Sequence, residues 1–217
     1  MNGIFITGTD TNVGKTYIAC KIAAELNTRN INVVPRKPVE SGCTLTNNQL
    51  IPEDAIKLKQ ASQSTESIEK ICPYRFKKAI SPAEAARQNN QRISLNQLSH
   101  ACTANVNEND FLLVEGAGGF YSPLCEDALN ADLAIKLDLP LLLIAENRVG
   151  CINQVLLCLN AIKHSSLNLR AIVLNHLPHS ETGNSHYDEL ARYTQIPIVE
   201  FDRNQSPVKQ VVDHILY

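Results

Sequence analysis

The chain has 217 residues, 44% of them hydrophobic, and a formal net charge of −2. That much apolar material supports a packed core and excludes wholesale disorder. The near-neutral charge excludes a mainly electrostatic attachment to nucleic acid or to an anionic membrane, and the longest apolar run, LPLLLIA at 139–145, is far short of the roughly 20 residues that span a bilayer.

In chain order, GIFITG (3–8) is an apolar run ending in Gly and predicts a first strand. A helix follows from Lys15 to about Asn27, with Ile18, Ile22, Ala23 and Leu26 on one face. INVVPRKP (31–38) predicts a second strand running into Pro, and 52–62 a helix. SPAE (81–84) predicts a helix start: Ser81 as N-cap, Pro at the first helical position, and Glu84 three residues after the cap to complete a capping box. A helix at 94–105 precedes a third strand, FLLVEG (111–116). Next come a helix at 130–137, the strand LPLLLIA, a helix at 151–164, the strand RAIVLN (170–175), and helices at 184–194 and 206–216. The strand runs are continuously apolar, as parallel strands buried on both faces are. The alternation predicts an α/β fold: a doubly wound, mostly parallel sheet with helices on both faces, as one domain over 1–217. Seven cysteines lie scattered with no C-x-x-C spacing and read as reduced thiols acting as small core hydrophobes. MNGIFITG has no basic targeting region, so a soluble cytoplasmic protein is expected.

In such sheets ligands sit at the carboxyl ends of the strands, and the chemistry-bearing residues fall there. GTDTNVGKT (8–16) follows the first strand. It reads as a phosphate-binding loop in which Gly14 lets backbone amides approach an anion, Lys15 reaches the terminal phosphates and the Thr16 hydroxyl ligates Mg²⁺. Five residues separate Gly8 from Gly14, one more than the usual spacing. DFLLVEGAGG (110–119) sets Glu115 at a strand tip, as a Mg²⁺ ligand or a solvated strand end, before a Gly-rich turn. Asp54 reads either as a further Mg²⁺ ligand or as a first-turn Asp held by the helix dipole. Lys37, in RKPVESG (36–42), would face the same cleft as Lys15, a pair suited to an anionic reacting centre; alone it reads equally as a surface lysine. NRVGCIN (147–153) opens a helix whose first-turn amides could bind a carboxylate or merely connect strand to helix. HLPH (176–179) lacks metal-site spacing and reads as loop.

TGTDTNVGKT, RKPVESG, LVEGAGG and RVGCIN, in this order and at these spacings, resemble the dethiobiotin synthetases over about residues 3 to 200, with the longer phosphate loop as a family feature. The resemblance implies a P-loop NTPase-like enzyme of biotin biosynthesis that joins 7,8-diaminononanoate and CO₂ at the expense of ATP, with Mg²⁺, as a homodimer. It implies that Thr11, Lys15, Lys37 and Ser41 face the carbamate and phosphate, and that Thr16, Asp54 and Glu115 ligate Mg²⁺. Asn12, Val13, Gly14, Lys15, Thr16 and Tyr17 would form the triphosphate loop, extended by Gly116, Ala117 and Gly118. Asn175 would read adenine with His176 beside it. Gly150, Cys151, Ile152, Asn153 and Tyr187 would meet the substrate tail from the partner subunit, and Ser81 would lie near the diamine. The chain departs from the family pattern at Asn12, where many relatives carry Glu, and at PIVEFDRN (197–204), where a Gly-x-Ile-Pro-like turn flanking the adenine is expected. The rival reading is a chromosome-partitioning type of ATPase switch, whose signature lysine is replaced here by Asp10.

Overall fold

A computed structural model describes residues 1–177, 185–202 and 207–217. The chain opens with β1 (Gly3–Gly8), α1 (Lys15–Thr28) and β2 (Val33–Arg36), followed by three short strands, β3 (Val39–Ser41), β4 (Thr44–Thr46) and β5 (Gln49–Ile51). Then come α2 (Glu53–Ala61), α3 (Ile68–Ile71), β6 (Tyr74–Phe76), α4 (Pro82–Gln88) and α5 (Leu95–Thr103). The second half holds β7 (Phe111–Glu115), the short β8 (Pro123–Cys125) and β9 (Ala128–Leu129), α6 (Asn130–Leu137), β10 (Leu141–Glu146), α7 (Cys151–His164), β11 (Leu169–Asn175), α8 (Tyr187–Leu190), β12 (Ile198–Phe201) and α9 (Val208–Leu216).

Six of the strands form one sheet in the order β12-β11-β10-β1-β7-β2, every neighbouring pair parallel. The chain builds outward from β1 to one side, then returns to build the other. Alternate residues feed two cores. Phe5, Leu112, Val114, Leu141 and Leu143 face the layer of α4, α5, α6 and α7. Ile4, Ile6, Leu113, Leu142 and Ile144 face the layer of α1 and α9. Such double-sided burial explains the unbroken apolar runs, each fully buried Leu, Ile or Phe contributing about 1.5–3 kcal/mol. Pro35 interrupts nothing, because β2 is an edge strand. Arg36, 1% exposed, is neutralised by Glu66 and donates to the Pro35, Ala101 and Ala104 carbonyls. The seven cysteines are unpaired, five of them buried, in keeping with the expected thiols.

The five expected strands and most of the helices form. Four expectations change. A sixth strand, β12, occupies half of PIVEFDRN; Glu200 breaks its apolar run, which hid it, and residues 203–204 lie outside the described ones. The second strand is shorter than 31–38: β2 stops at Arg36 and Lys37-Pro38 separates it from β3. Of the 184–194 helix only α8, four residues long, forms among the described residues. Ser81 does stand at the N-cap of α4, but its side chain makes no cap bond, and Glu84 pairs instead with Arg87 and Gln88, so the capping box at 81–84 does not form. A box does form at α5, where Ser94 and Gln97 bond reciprocally. Among the described residues no helix is long and apolar enough to cross a membrane.

Candidate active site

The carboxyl ends of β1, β2 and β7 converge on a cleft of about 350 Å³. Thr11, Asn12, Gly14, Lys15, Thr16, Tyr17, Lys37, Ser41, Asp54, Glu115, Ala117 and Gly118 line it, and the sequence singled out all of these. The loop after β1 is built by backbone demands. Gly14 sits at φ 97°, and a Cβ there would lie 2.1 Å from the Asn175 Nδ2, so both conformation and space require Gly. Asn12 sits at φ 61°. Asn tolerates the left-handed region better than most residues, which gives Asn12 a conformational reason to be there. Thr9 N donates to the Ile144 carbonyl, tying the loop to β10. Lys15 is nearly buried and its Nζ donates to the Asp10 carbonyl at 2.7 Å. Burial, reinforced by the charge of Lys37, pushes its pKa down to about 8.

Opposite Lys15 the charges interlock. Lys37 Nζ donates to Glu115 Oε1 at 2.7 Å and to the Gly116 carbonyl at 3.1 Å, and lies 3.6 Å from Asp54 Oδ2. Burial alone would lower the Lys37 pKa, but the carboxylates of Glu115 and Asp54 and the bond to Glu115 outweigh it and hold the ammonium above its ordinary value. Thr16 Oγ1 donates to the same Glu115 oxygen at 2.7 Å. Glu115 is 1% exposed, and its Oε2 is buried with no hydrogen-bond partner among the described residues. An orphaned buried carboxylate oxygen costs free energy unless something binds it. With Thr16 and Asp54 beside it, the donors are all hard oxygens, the set that suits Mg²⁺ when phosphates supply the other ligands.

Three structural residues escaped the sequence. Glu40 lines the cleft, and its carboxylate accepts the Asp54 and Ala55 N–H groups at 3.1 Å each, holding the start of α2 and with it Asp54. Burial raises its pKa, against the pull of those N–H bonds and of Lys37. Asn130, fully buried, accepts Ala117 N and donates to the Ala117 and Gly119 carbonyls, shaping the Gly-rich turn; a Cβ on Gly116 would meet its Oδ1 at 2.6 Å. Leu177 closes the cleft at the β11 end. Glu40 stood within a quoted motif, but its partners lie 14 and 15 residues away, and no local spacing announces that.

A protein-family model described as "AAA domain" matches residues 2–200. The chain is 41% identical to the ATP-dependent dethiobiotin synthetase BioD of Vesicomyosocius okutanii over 94% of this chain and 91% of that protein. It is 36% identical to the protein of the same name from Ruthia magnifica, over 94% and 92%. This chain belongs to the ATP-dependent dethiobiotin synthetase family. Among solved structures, the ParA family ATPase of Chlorobium tepidum superposes with a TM-score of 0.56 at 17% identity, covering 100% of this chain and 98% of that one, a likeness of P-loop NTPase fold alone.

The remaining residues singled out on the dethiobiotin synthetase pattern lie outside the cleft lining. Val13 is buried in the core layer under α1. Asn175, at the end of β11 and fully buried, donates through Nδ2 to the Val13 carbonyl at 2.8 Å, and its Oδ1 has no partner among the described residues. The His176 ring sits 3.3 Å from Asn147 Nδ2 and 3.1 Å from Glu200, turned to that network, while its neighbour Leu177 lines the cleft. Gly150, at φ 89°, caps α7, with Cys151 buried and Asn153 exposed in its first turn. Tyr187 opens α8 beside His186, which contacts Asn147. Ser81 lines a separate cavity of about 580 Å³ with Ile93, Pro123 and Glu126. The second half of HLPH, residues 178–179, lies outside the described residues.

Proposed function

We propose that this chain catalyses the ATP-dependent ring closure of 7,8-diaminononanoate with CO₂ to dethiobiotin, ADP and phosphate, through a carbamate and a carbamic–phosphoric anhydride. It would do so as one domain and as a homodimer in the cytoplasm, with Gly150–Asn153 and Tyr187 of one subunit meeting the substrate tail bound to the other. Carbamate attack on a γ-phosphate brings two anions together, so the chain must supply positive charge and orientation. Lys15 and Lys37 offset that repulsion at the phosphate and the carbamate. Thr11 and Ser41 orient the carbamate; Ser81, which lines a separate cavity, would meet the diamine only where the substrate reaches beyond the cleft. Thr16, Asp54 and Glu115 would hold Mg²⁺, which when bound supplies charge stabilisation at the phosphates. The Asn175 carboxamide, with a free acceptor, is suited to the adenine amino group. The substrate anion itself serves as nucleophile, so no side-chain base is needed.

The observation that carries this reading is the gathering of Lys15, Lys37, Thr16, Asp54 and Glu115 around one cleft at the carboxyl edge of the sheet. A partner-switching ATPase has no such support, since Asp10 holds the position of its signature lysine and uses its carbonyl to fix Lys15. Purified protein incubated with diamine, bicarbonate and Mg-ATP should release ADP only when bicarbonate and diamine are both present, with a product of dethiobiotin mass. ADP release indifferent to the diamine would refute the assignment.

A further inference from the structure

We infer that Lys37 has a second role: its ammonium is the resident counter-ion of the carboxylates that hold the divalent metal, and it exchanges with that metal, so Lys37 reaches the reacting anion only once the metal is loaded. The inference rests on Thr16, Asp54 and Glu115 being the metal ligands. Glu115 is 1% exposed, and taking a carboxylate out of water carries a desolvation cost that an adjacent counter-charge offsets. Lys37 supplies it. Its Nζ touches Glu115 Oε1 at 2.7 Å and stands 3.6 Å from Asp54 Oδ2, in the space between the two carboxylates. Lys15 adds its charge from further off, its Nζ being held by the Asp10 carbonyl, and the direct ion pairs belong to Lys37. A divalent cation on Glu115 and Asp54 would crowd the Lys37 ammonium in a poorly solvated site, where like charges repel strongly.

Lys37 can leave without disturbing the fold. Its backbone N–H is fixed on the Ile71 carbonyl at 2.9 Å, so the movement is confined to a flexible four-carbon side chain. Freed from Glu115, the ammonium still lines the cleft shared with Lys15, Thr11 and Ser41. Metal and carbamate would therefore bind with positive coupling, each strengthening the other by the same factor.

The test is Mn²⁺ titration, read by electron paramagnetic resonance of the free ion, into ADP-saturated wild type, Lys37→Met and Glu115→Gln. Lys37→Met should bind Mn²⁺ at least about tenfold more tightly than wild type, and Glu115→Gln much more weakly. In EDTA, Lys37→Met should melt below wild type and recover when Mn²⁺ is added, a recovery that a merely structural lysine would not give. Equal or weaker Mn²⁺ binding by Lys37→Met, with Glu115→Gln still impaired, overturns the exchange and leaves the metal site standing. Unimpaired Mn²⁺ binding by Glu115→Gln overturns both. Should Lys37→Met not fold under any condition, a structure of the wild type with Mn²⁺ and ADP decides. Lys37 Nζ beyond about 4 Å of Glu115, outside ion-pair range, supports the exchange; a retained contact refutes it.

Discussion

Gly14 shows how much one residue carries. Its φ of 97° and the 2.1 Å separation between an added Cβ and Asn175 Nδ2 leave no room for a side chain. Gly14→Ala should therefore strain the loop and push Asn175 off the Val13 carbonyl. A loss of roughly 1–3 kcal/mol in urea unfolding is expected, with ADP affinity by calorimetry falling in parallel; intact affinity would detach Asn175 from nucleotide binding. Lys37→Gln should behave differently. Removing a charge that acts where the reaction develops charge costs about 10²–10³ in turnover, while ATP affinity measured in EDTA stays near that of wild type; near-normal turnover would remove Lys37 from the mechanism. At this scale the sequence was informative wherever a residue follows a strand: Lys15, Lys37 and Glu115 announce themselves by position. Asn130 and Arg36 did not, because their partners, backbone groups of the Gly-rich turn for Asn130 and the Glu66 carboxylate with the Ala101 and Ala104 carbonyls for Arg36, are brought near only by the folded chain.

At the level of elements, capping separates two serines that look alike in sequence. Ser94 bonds to Gln97 and closes a box at α5, whereas Ser81 makes no cap bond at α4. Ser94→Ala should cost about 1 kcal/mol, and Ser81→Ala little; a comparable loss at Ser81, read from paired denaturation curves, would mean that its hydroxyl does cap the helix in solution. Strand starts are pinned by another local polar group. Asp110, just before β7, accepts Asn107 N at 2.8 Å and Asn32 Nδ2 at 2.7 Å, and these bonds, the Asn107 N–H first, hold its carboxyl below the ordinary 3.8. A depressed folded pKa adds stability that is fully present above 3.8 and lost as pH falls through the folded value. Wild type should thus exceed Asp110→Asn in stability at neutral pH, and the gap should close below about pH 4. A gap that holds constant down to pH 2 would count against the ionised carboxylate. The short ladders were illegible for a physical reason: β4–β5 is three residue pairs joined by Asn47 and Asn48, both at positive φ, and runs of three residues are too short to establish a period.

For the whole molecule, five of the six sheet strands were legible and strand order was not. Runs buried on both faces carry no periodic signature of which neighbour lies beside them, so placing β7 between β1 and β2 depends on tertiary packing alone. That order matters to function because it brings the tip of β7, with Glu115, between the phosphate loop of β1 and Lys37 after β2. A ligand in the cleft therefore grips the centre and one edge of the same sheet. Nucleotide at a hundredfold excess over its Kd should stabilise the fold by about 2.7 kcal/mol, which for a chain of this size raises the melting temperature by roughly 5–11 °C. Far-UV circular dichroism and near-UV tyrosine absorbance should report the same shift, since the two core layers share every strand. If the absorbance transition moved with ADP while the dichroism transition stayed, the fold would be melting in more than one unit, and the strands that carry Lys37 and Glu115 would not be coupled to the rest of the sheet in the way the shared core layers require.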